Sequence, residues 1–164
     1  MLALAPIVSQ IISLSSLAAE KKAAADPSLA NGILAVLELD TKLKGQEREH
    51  AVYLADRVRA AAKQALPGLT VITHENLIAL LEASGKKPED CVGQCDTETG
   101  RLLGADLVVS GQLLRFDNEY KLSLKLHETK AGRLLSTAIG SGRSLDALDD
   151  GAAQAAADLF APEE

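Results

Sequence analysis

The sequence predicts an α/β fold: a mixed sheet of about five strands with helices packed on it, in the order β-α-β-α-α-β-β-β-α. Three observations support this prediction. The short apolar run Ile33–Leu39 has the length and the bounds of a buried central strand. Gln46–Leu66 has apolar residues at helical spacing and charged residues on its other sides. Glu119–His127 alternates apolar and polar residues, which is typical of a half-buried strand.

Composition limits what kind of protein this is. A chain of 164 residues is long enough for one domain with a sizeable core. Hydrophobic residues make up 47% and aromatic residues only 2%, so the core must consist of Leu, Val, Ile and Ala. The formal net charge of -6 argues against a nucleic-acid partner, because phosphate binding needs a concentrated basic face. There is also no run of lysines for an anionic membrane surface.

The first residues are apolar and precede the predicted domain. Met1–Ala19 carries no charged side chain, and its small residues favour a secretory signal peptide cleaved after Ala18. The alternatives are a membrane anchor and an ordered apolar helix; the polar positions and Pro6 count against a membrane span. If uncleaved, residues 1–19 are the one expected membrane contact. The predicted divisions are a signal-like or apolar helical segment, a linker, a single α/β domain and a tail, at residues 1–25, 26–32, 33–160 and 161–164.

The next elements form a strand-helix-strand unit. Pro67 and the glycine after it end the long helix, and Leu69–Thr73 is a second short strand. Thr73 is a natural cap for a helix over Glu75–Ala83, which Gly85 ends. Such a unit implies a right-handed crossover and a parallel pair of strands.

Two cysteines, Cys91 and Cys95, lie close together, and the chain has no others. In an exported protein this pattern favours a disulfide, which would stabilise so small a loop by about 2 kcal/mol. The spacing is wrong for a C-x-x-C redox pair, and a zinc site would lack local histidines.

A short helix and a meander follow. Asp96 is expected to cap a helix over Thr97–Leu103, which Gly104 ends, and Glu98 and Arg101 are spaced to form an ion pair on its surface.

The strands Asp106–Phe116, Glu119–His127 and Arg133–Ile139 are predicted to form a three-stranded antiparallel meander. Gly111 within the first of them indicates a bulge or a close backbone approach. Ser144 is expected to cap the last helix, whose buried stripe is Leu145, Leu148, Ala152, Ala156 and Leu159.

The stretch ETGRLLGADLVVSGQL resembles a G-A-D-x-(V/I)-(V/I)-(S/T)-G segment of the family that includes the amino-terminal domain of TolB and the curli secretion subunit CsgG. It is similar also to small exported, cysteine-paired bacterial domains. The order of elements matches from about Ile33 to Phe160. The motif is structural and implies the fold more than an activity. The matching residues are Gly104, Ala105, Asp106, Val108, Val109, Ser110 and Gly111.

The resemblance implies a non-enzymatic binding or assembly module of the bacterial cell envelope, exported to the periplasm or associated with the outer membrane. A protein partner is expected, with self-association as a further possibility. The chain has no lipobox cysteine after its apolar run, no long alternating insertions and no propeller. Neither a curli-type pore nor the whole role of TolB is therefore carried over.

The candidate binding face is the polar side of the central meander strand, or else a free sheet edge that accepts a partner strand. The residues of that polar side are Lys121, Ser123, Lys125 and His127.

No catalytic residue, metal site or cofactor is predicted. The three histidines, His50, His74 and His127, fall on or beside different elements, and the sequence has neither a nucleophile elbow nor a phosphate loop. The alternatives are a small enzyme with an unrecognised site and an intracellular ligand-sensing domain with reduced cysteines.

Overall fold

The computed structural model describes residues 31–87 and 95–161. The predicted signal-like segment and the first cysteine lie outside them. The strands are β1 (Ile33–Val36), β2 (Asp40–Thr41), β3 (Thr70–Val71), β4 (Leu107–Phe116), β5 (Glu119–Glu128) and β6 (Leu134–Gly142). The helices are α1 (Gln46–Ala65), α2 (His74–Ala83), α3 (Asp96–Leu102) and α4 (Leu145–Leu159).

The strands form one mixed sheet in the order β3-β1-β4-β5-β6, so the predicted fold class is confirmed. β1 is parallel to both β3 and β4, while β4, β5 and β6 form the antiparallel meander. The sixth strand, β2, was not predicted. It pairs with β4 through Asp40 opposite Gln112 and Thr41 opposite Leu113. Two polar residues give no alternation by which such a strand could be recognised.

Helices cover the two faces of the sheet unequally. On one face α1 and α4 enclose a core to which the whole sheet contributes, from Leu34 in β1 to Ala138 in β6. On the opposite face a smaller cluster joins Leu77 and Leu81 of α2 to Ala35 and Val108. This second cluster extends over β1 and the start of β4 only, so no helix of residues 31–87 or 95–161 packs on the rest of the meander on that side.

Helix α4 lies against β6 through backbone contacts at three glycines. A Cβ atom on Gly140 would lie 2.6 Å from the Gly151 carbonyl oxygen, and one on Gly151 would lie 2.5 Å from the Ser141 carbonyl oxygen. A Cβ atom on Gly142 would meet the backbone nitrogen of Leu148. The helix therefore packs closer to the sheet than any side chain at these positions permits.

Two of the three predicted helix caps are confirmed. The Thr73 hydroxyl accepts the Asn76 N–H at 3.3 Å, and the Ser144 hydroxyl accepts the Ala147 N–H at 3.1 Å. The prediction for Asp96 was wrong: α3 begins one residue earlier, with Cys95 at the N-cap and no side-chain cap bond. Asp96 lies in the first turn, where its negative charge interacts favourably with the positive end of the helix dipole but makes no capping bond.

Gly111 makes a close backbone approach, one of the two predicted alternatives. A Cβ atom there would lie 2.5 Å from the Ser123 carbonyl oxygen. The ladder between β4 and β5 is regular through this position, and the irregularity lies instead between Leu126 and His127 in the pairing of β5 with β6.

Candidate binding surface

Asp106, the acid of the recognised motif, joins three strands by hydrogen bonds. Its Oδ2 accepts the Ile33 N–H at 2.9 Å, and its own N–H donates to the Ile33 carbonyl at 2.8 Å. Its carbonyl accepts the Thr129 N–H at 2.9 Å. The carboxylate thus holds the start of β1 beside β4, which is a structural use of the side chain.

The residues around the motif pack α3 onto the turn after β5. The Thr129 hydroxyl donates to the Ala105 carbonyl at 2.6 Å, and a Cβ atom on Gly100 would lie 2.6 Å from Thr129 Cγ2. Arg101 was expected to pair with Glu98, but its Nε donates to the Thr129 carbonyl at 2.6 Å. A contact between residues so distant in sequence cannot be seen in helical spacing.

The other motif residues also lie in the fold. Val108 and Val109 are fully buried and Ser110 is nearly so, while Gly104 has a positive φ of 68° at the end of α3. The motif residues therefore lie at a helix end and within the sheet. The Asp106 carboxylate accepts a backbone N–H, and the Asp106 carbonyl accepts both the N–H and, at 3.1 Å, the hydroxyl of Thr129.

The structure places the four predicted binding residues on one side of β5. They alternate with buried neighbours and lie on the side of the meander that α2 and α3 leave uncovered. Lys125 is exposed and the other three are half-buried. We call this surface the open face; its residues are Gln112, Leu114, Phe116, Lys121, Ser123, Lys125, His127, Thr137, Ile139 and Ser141.

Large apolar side chains border these polar residues. Phe116 at the end of β4 is 60% exposed, and Ile139 on β6 is 73% exposed and lies opposite Ser123. Neither residue is among the predicted binding residues, which came from the outward positions of β5 alone. The same period of two, applied to β4 and β6, identifies them.

The charged and titratable residues of the open face differ in their surroundings. Lys121 Nζ lies 3.0 Å from Glu119 Oε1, and this hydrogen bond lowers the pKa of Glu119. Burial lowers the pKa of His127, and the nearby Lys125 lowers it further against the opposing effect of Asp96. His127 is therefore neutral at pH 7, and Lys125 is the most accessible positive charge among the four residues.

A cavity of about 300 Å³ lies near the carboxyl ends of β1 and β3. Its polar groups largely bind one another. The buried Arg59 donates to Asp56 Oδ1 and to the Val36 carbonyl, each at 2.6 Å. The Glu75 carboxylate binds its own backbone N–H and the Thr73 hydroxyl, which lowers its pKa. The Thr73 hydroxyl also accepts the Asn76 N–H, so the Thr73 and Glu75 side chains are both engaged at the start of α2.

The histidines remain on separate elements. The His50 ring of α1 lies tilted against the Tyr53 ring with centroids 5.4 Å apart, and His74 Nδ1 lies 3.5 Å from Glu38 Oε1. Within residues 31–87 and 95–161, no three His, Cys, Asp or Glu side chains are arranged to hold a metal ion. Over the same residues, no helix has the length and hydropathy needed to cross a membrane.

The structure describes one of the two cysteines of the predicted disulfide. Cys95 is half-buried at the start of α3, and Cys91 lies outside the described residues. The disulfide between them stays a prediction.

Known proteins resemble this chain in structure and not detectably in sequence. No family model matches the chain, and no curated protein matches it. The C-terminal domain of LpoB from Salmonella enterica is 19% identical, with 70% of this chain and 84% of that chain covered and a TM-score of 0.52. Lipoprotein GNA1162 from Neisseria meningitidis is 13% identical, with 68% and 80% covered and a TM-score of 0.56.

TolB is also among the proteins to which the chain is similar. TolB from Acinetobacter baumannii is 14% identical, with 67% of this chain and 22% of that chain covered and a TM-score of 0.40. The likeness to CsgG stays a prediction. At these identities the comparisons show the fold alone: the chain is similar in fold to the LpoB domain and to lipoprotein GNA1162.

Proposed function

We propose that this protein is a non-enzymatic module, exported to the bacterial cell envelope, that binds another protein through the open face. The observation that carries the proposal is the combination of exposed apolar residues on β4 and β6 with lysines on β5 between them. No described helix covers this part of the three strands. The fold shared with a Neisseria lipoprotein supports the compartment.

The chemistry of the open face favours a protein partner. Phe116 and Ile139 provide large apolar contacts, and aromatic and apolar groups of this kind are typical of interface centres. Lys125 and Lys121 provide positive charge at the same surface. On a chain whose net charge is -6, this local positive charge favours a partner that presents carboxylates beside apolar side chains.

Photo-crosslinking in living cells tests the proposal. Benzoylphenylalanine would replace Phe116 on the open face, and the matched control would replace Tyr53, an aromatic residue of α1 that is 46% exposed. We expect an adduct with an envelope protein from position 116 and none from position 53.

The charge contribution is tested in the same strain. Lys125→Glu should reduce the yield of that adduct by about five-fold or more, since it places a negative charge opposite the partner's carboxylates. Lys44→Glu, an exposed charge reversal in the loop before α1, should leave the yield unchanged. Equal adducts from positions 116 and 53, an adduct only with a second copy of this chain, or no effect of Lys125→Glu would contradict the proposal.

A further inference from the structure

The two edges of the sheet differ. At one edge β3 has two residues, Thr70–Val71, which is too short to pair with much of another strand. At the other edge β6 has nine residues, and no strand in residues 31–87 or 95–161 pairs with its outer side. A long strand edge presents a row of backbone donors and acceptors that can pair with another chain.

The β6 edge lacks the usual features that prevent such pairing. Leu134–Gly142 contains no charged residue and no proline, although charged residues make up 24% of the chain. It also carries Ile139, which is 73% exposed, more than any other large apolar side chain in the described residues. Natural proteins commonly protect an exposed edge with lysine, proline or a bulge along the strand.

The one irregularity in β6 lies at its beginning. Ser136–Gly142 pairs without interruption with Tyr120–Leu126, and the register shift comes before Ser136. The regular part of the edge strand is thus seven residues long, from Ser136 to Gly142, with Ile139 at its centre. Beneath it, α4 contacts the strand at Gly140 and Gly142 and keeps that face covered.

We propose that a second copy of this chain pairs antiparallel with β6, about a two-fold axis at Ile139. This register places the two Ile139 side chains opposite each other and each Thr137 opposite Ser141 of the other copy. It requires no charged residue to face a like charge, which matters for two molecules that each carry a net charge of -6. The strand is therefore complementary to itself over its whole regular length.

The pairing would join two six-stranded sheets into one continuous sheet. A two-fold axis between antiparallel strands of one sheet is perpendicular to that sheet, so the two open faces would lie on the same side. A partner with two docking segments could then contact both copies at once and gain avidity. The dimer itself does not depend on the proposed function of the open face.

Sedimentation equilibrium over a range of concentrations tests the dimer, with the protein in the form that cells accumulate. We expect the wild type to be a dimer at tens of micromolar. Ile139→Lys should weaken dimerisation at least about ten-fold, because two ammonium groups would face each other at the axis. The matched control, Leu80→Lys, changes an exposed leucine of α2 and should leave the dimer unchanged.

Amide hydrogen exchange shows which surface pairs. In the wild type, amides within Ser136–Gly142 should exchange more slowly as the protein concentration rises, and in Ile139→Lys they should not. Circular dichroism checks that this variant is folded, as expected for a side chain so exposed. A wild type that stays monomeric, an Ile139→Lys variant that dimerises equally well, or concentration-dependent protection away from β6 would overturn the inference.

Discussion

At the scale of single residues, the carboxylate of Asp106 accepts the Ile33 N–H at 2.9 Å and fixes where β1 enters the sheet. Replacing Asp106 with alanine leaves that N–H without its partner at a strand end. We expect Asp106→Ala to lower the free energy of unfolding by about 1 kcal/mol, measured by urea denaturation. Asp106→Asn keeps an acceptor oxygen and should lose less, and Glu82→Ala, at an exposed position of α2, should change little. Equal losses from the alanine and asparagine variants would contradict this role.

His127 should make stability depend on pH. Burial lowers its pKa in the folded protein below the ordinary value of 6.5, so the unfolded chain takes up a proton at a higher pH. The stability associated with neutral His127 is present above pH 6.5 and is lost as the pH falls through that value towards the lower pKa of the folded state. We expect urea midpoints to fall more between pH 7 and pH 5 in the wild type than in His127→Gln. Parallel pH profiles of the two proteins would refute this assignment.

At the scale of elements, the position of α4 depends on glycine. In a helix interior, alanine is normally more stabilising than glycine by up to about 1 kcal/mol. At Gly151 the sign should reverse, because a Cβ atom would lie 2.5 Å from the Ser141 carbonyl oxygen and force the helix away from β6. We expect Gly151→Ala to destabilise the protein by about 1 to 3 kcal/mol, measured by thermal and urea unfolding. Asp150→Ala, at the exposed neighbouring position, is the control and should cost far less.

The elements that could be predicted had either a long periodic pattern or, like β1 and β3, an apolar run with clear bounds. Glu119–His127 has an unbroken alternation, and the buried and outward sides of β5 were predicted correctly because the side-chain period of a strand is fixed. The two residues of β2 are too few to show a period. Arg101 shows a second limit: helical spacing indicated Glu98, whereas packing brought the Thr129 carbonyl within 2.6 Å. Contacts of this kind depend on how the elements meet, which local patterns do not specify.

At the scale of the whole molecule, the unequal covering of the sheet connects the fold to the proposed binding. Among the described helices, α1 and α4 cover one face over its full width, and α2 and α3 cover only β1 and the start of β4 on the other. The apolar and the basic side chains of the open face therefore lie together on a surface that no described helix covers, and such a surface is suited to a protein partner.

Compartment and thiol state form one linked prediction for the whole chain. Export through a signal peptide would remove residues 1–18, by cleavage after Ala18. It would also place Cys91 and Cys95 in a compartment where disulfides persist. We expect intact-mass spectrometry of protein from the envelope fraction to show a chain that begins at Ala19 and lacks both thiol hydrogens. Treatment with a reductant should restore these hydrogens without changing the amino terminus. A chain that retains Met1 in the cytoplasmic fraction, with both cysteines reduced, would instead favour an intracellular ligand-sensing domain.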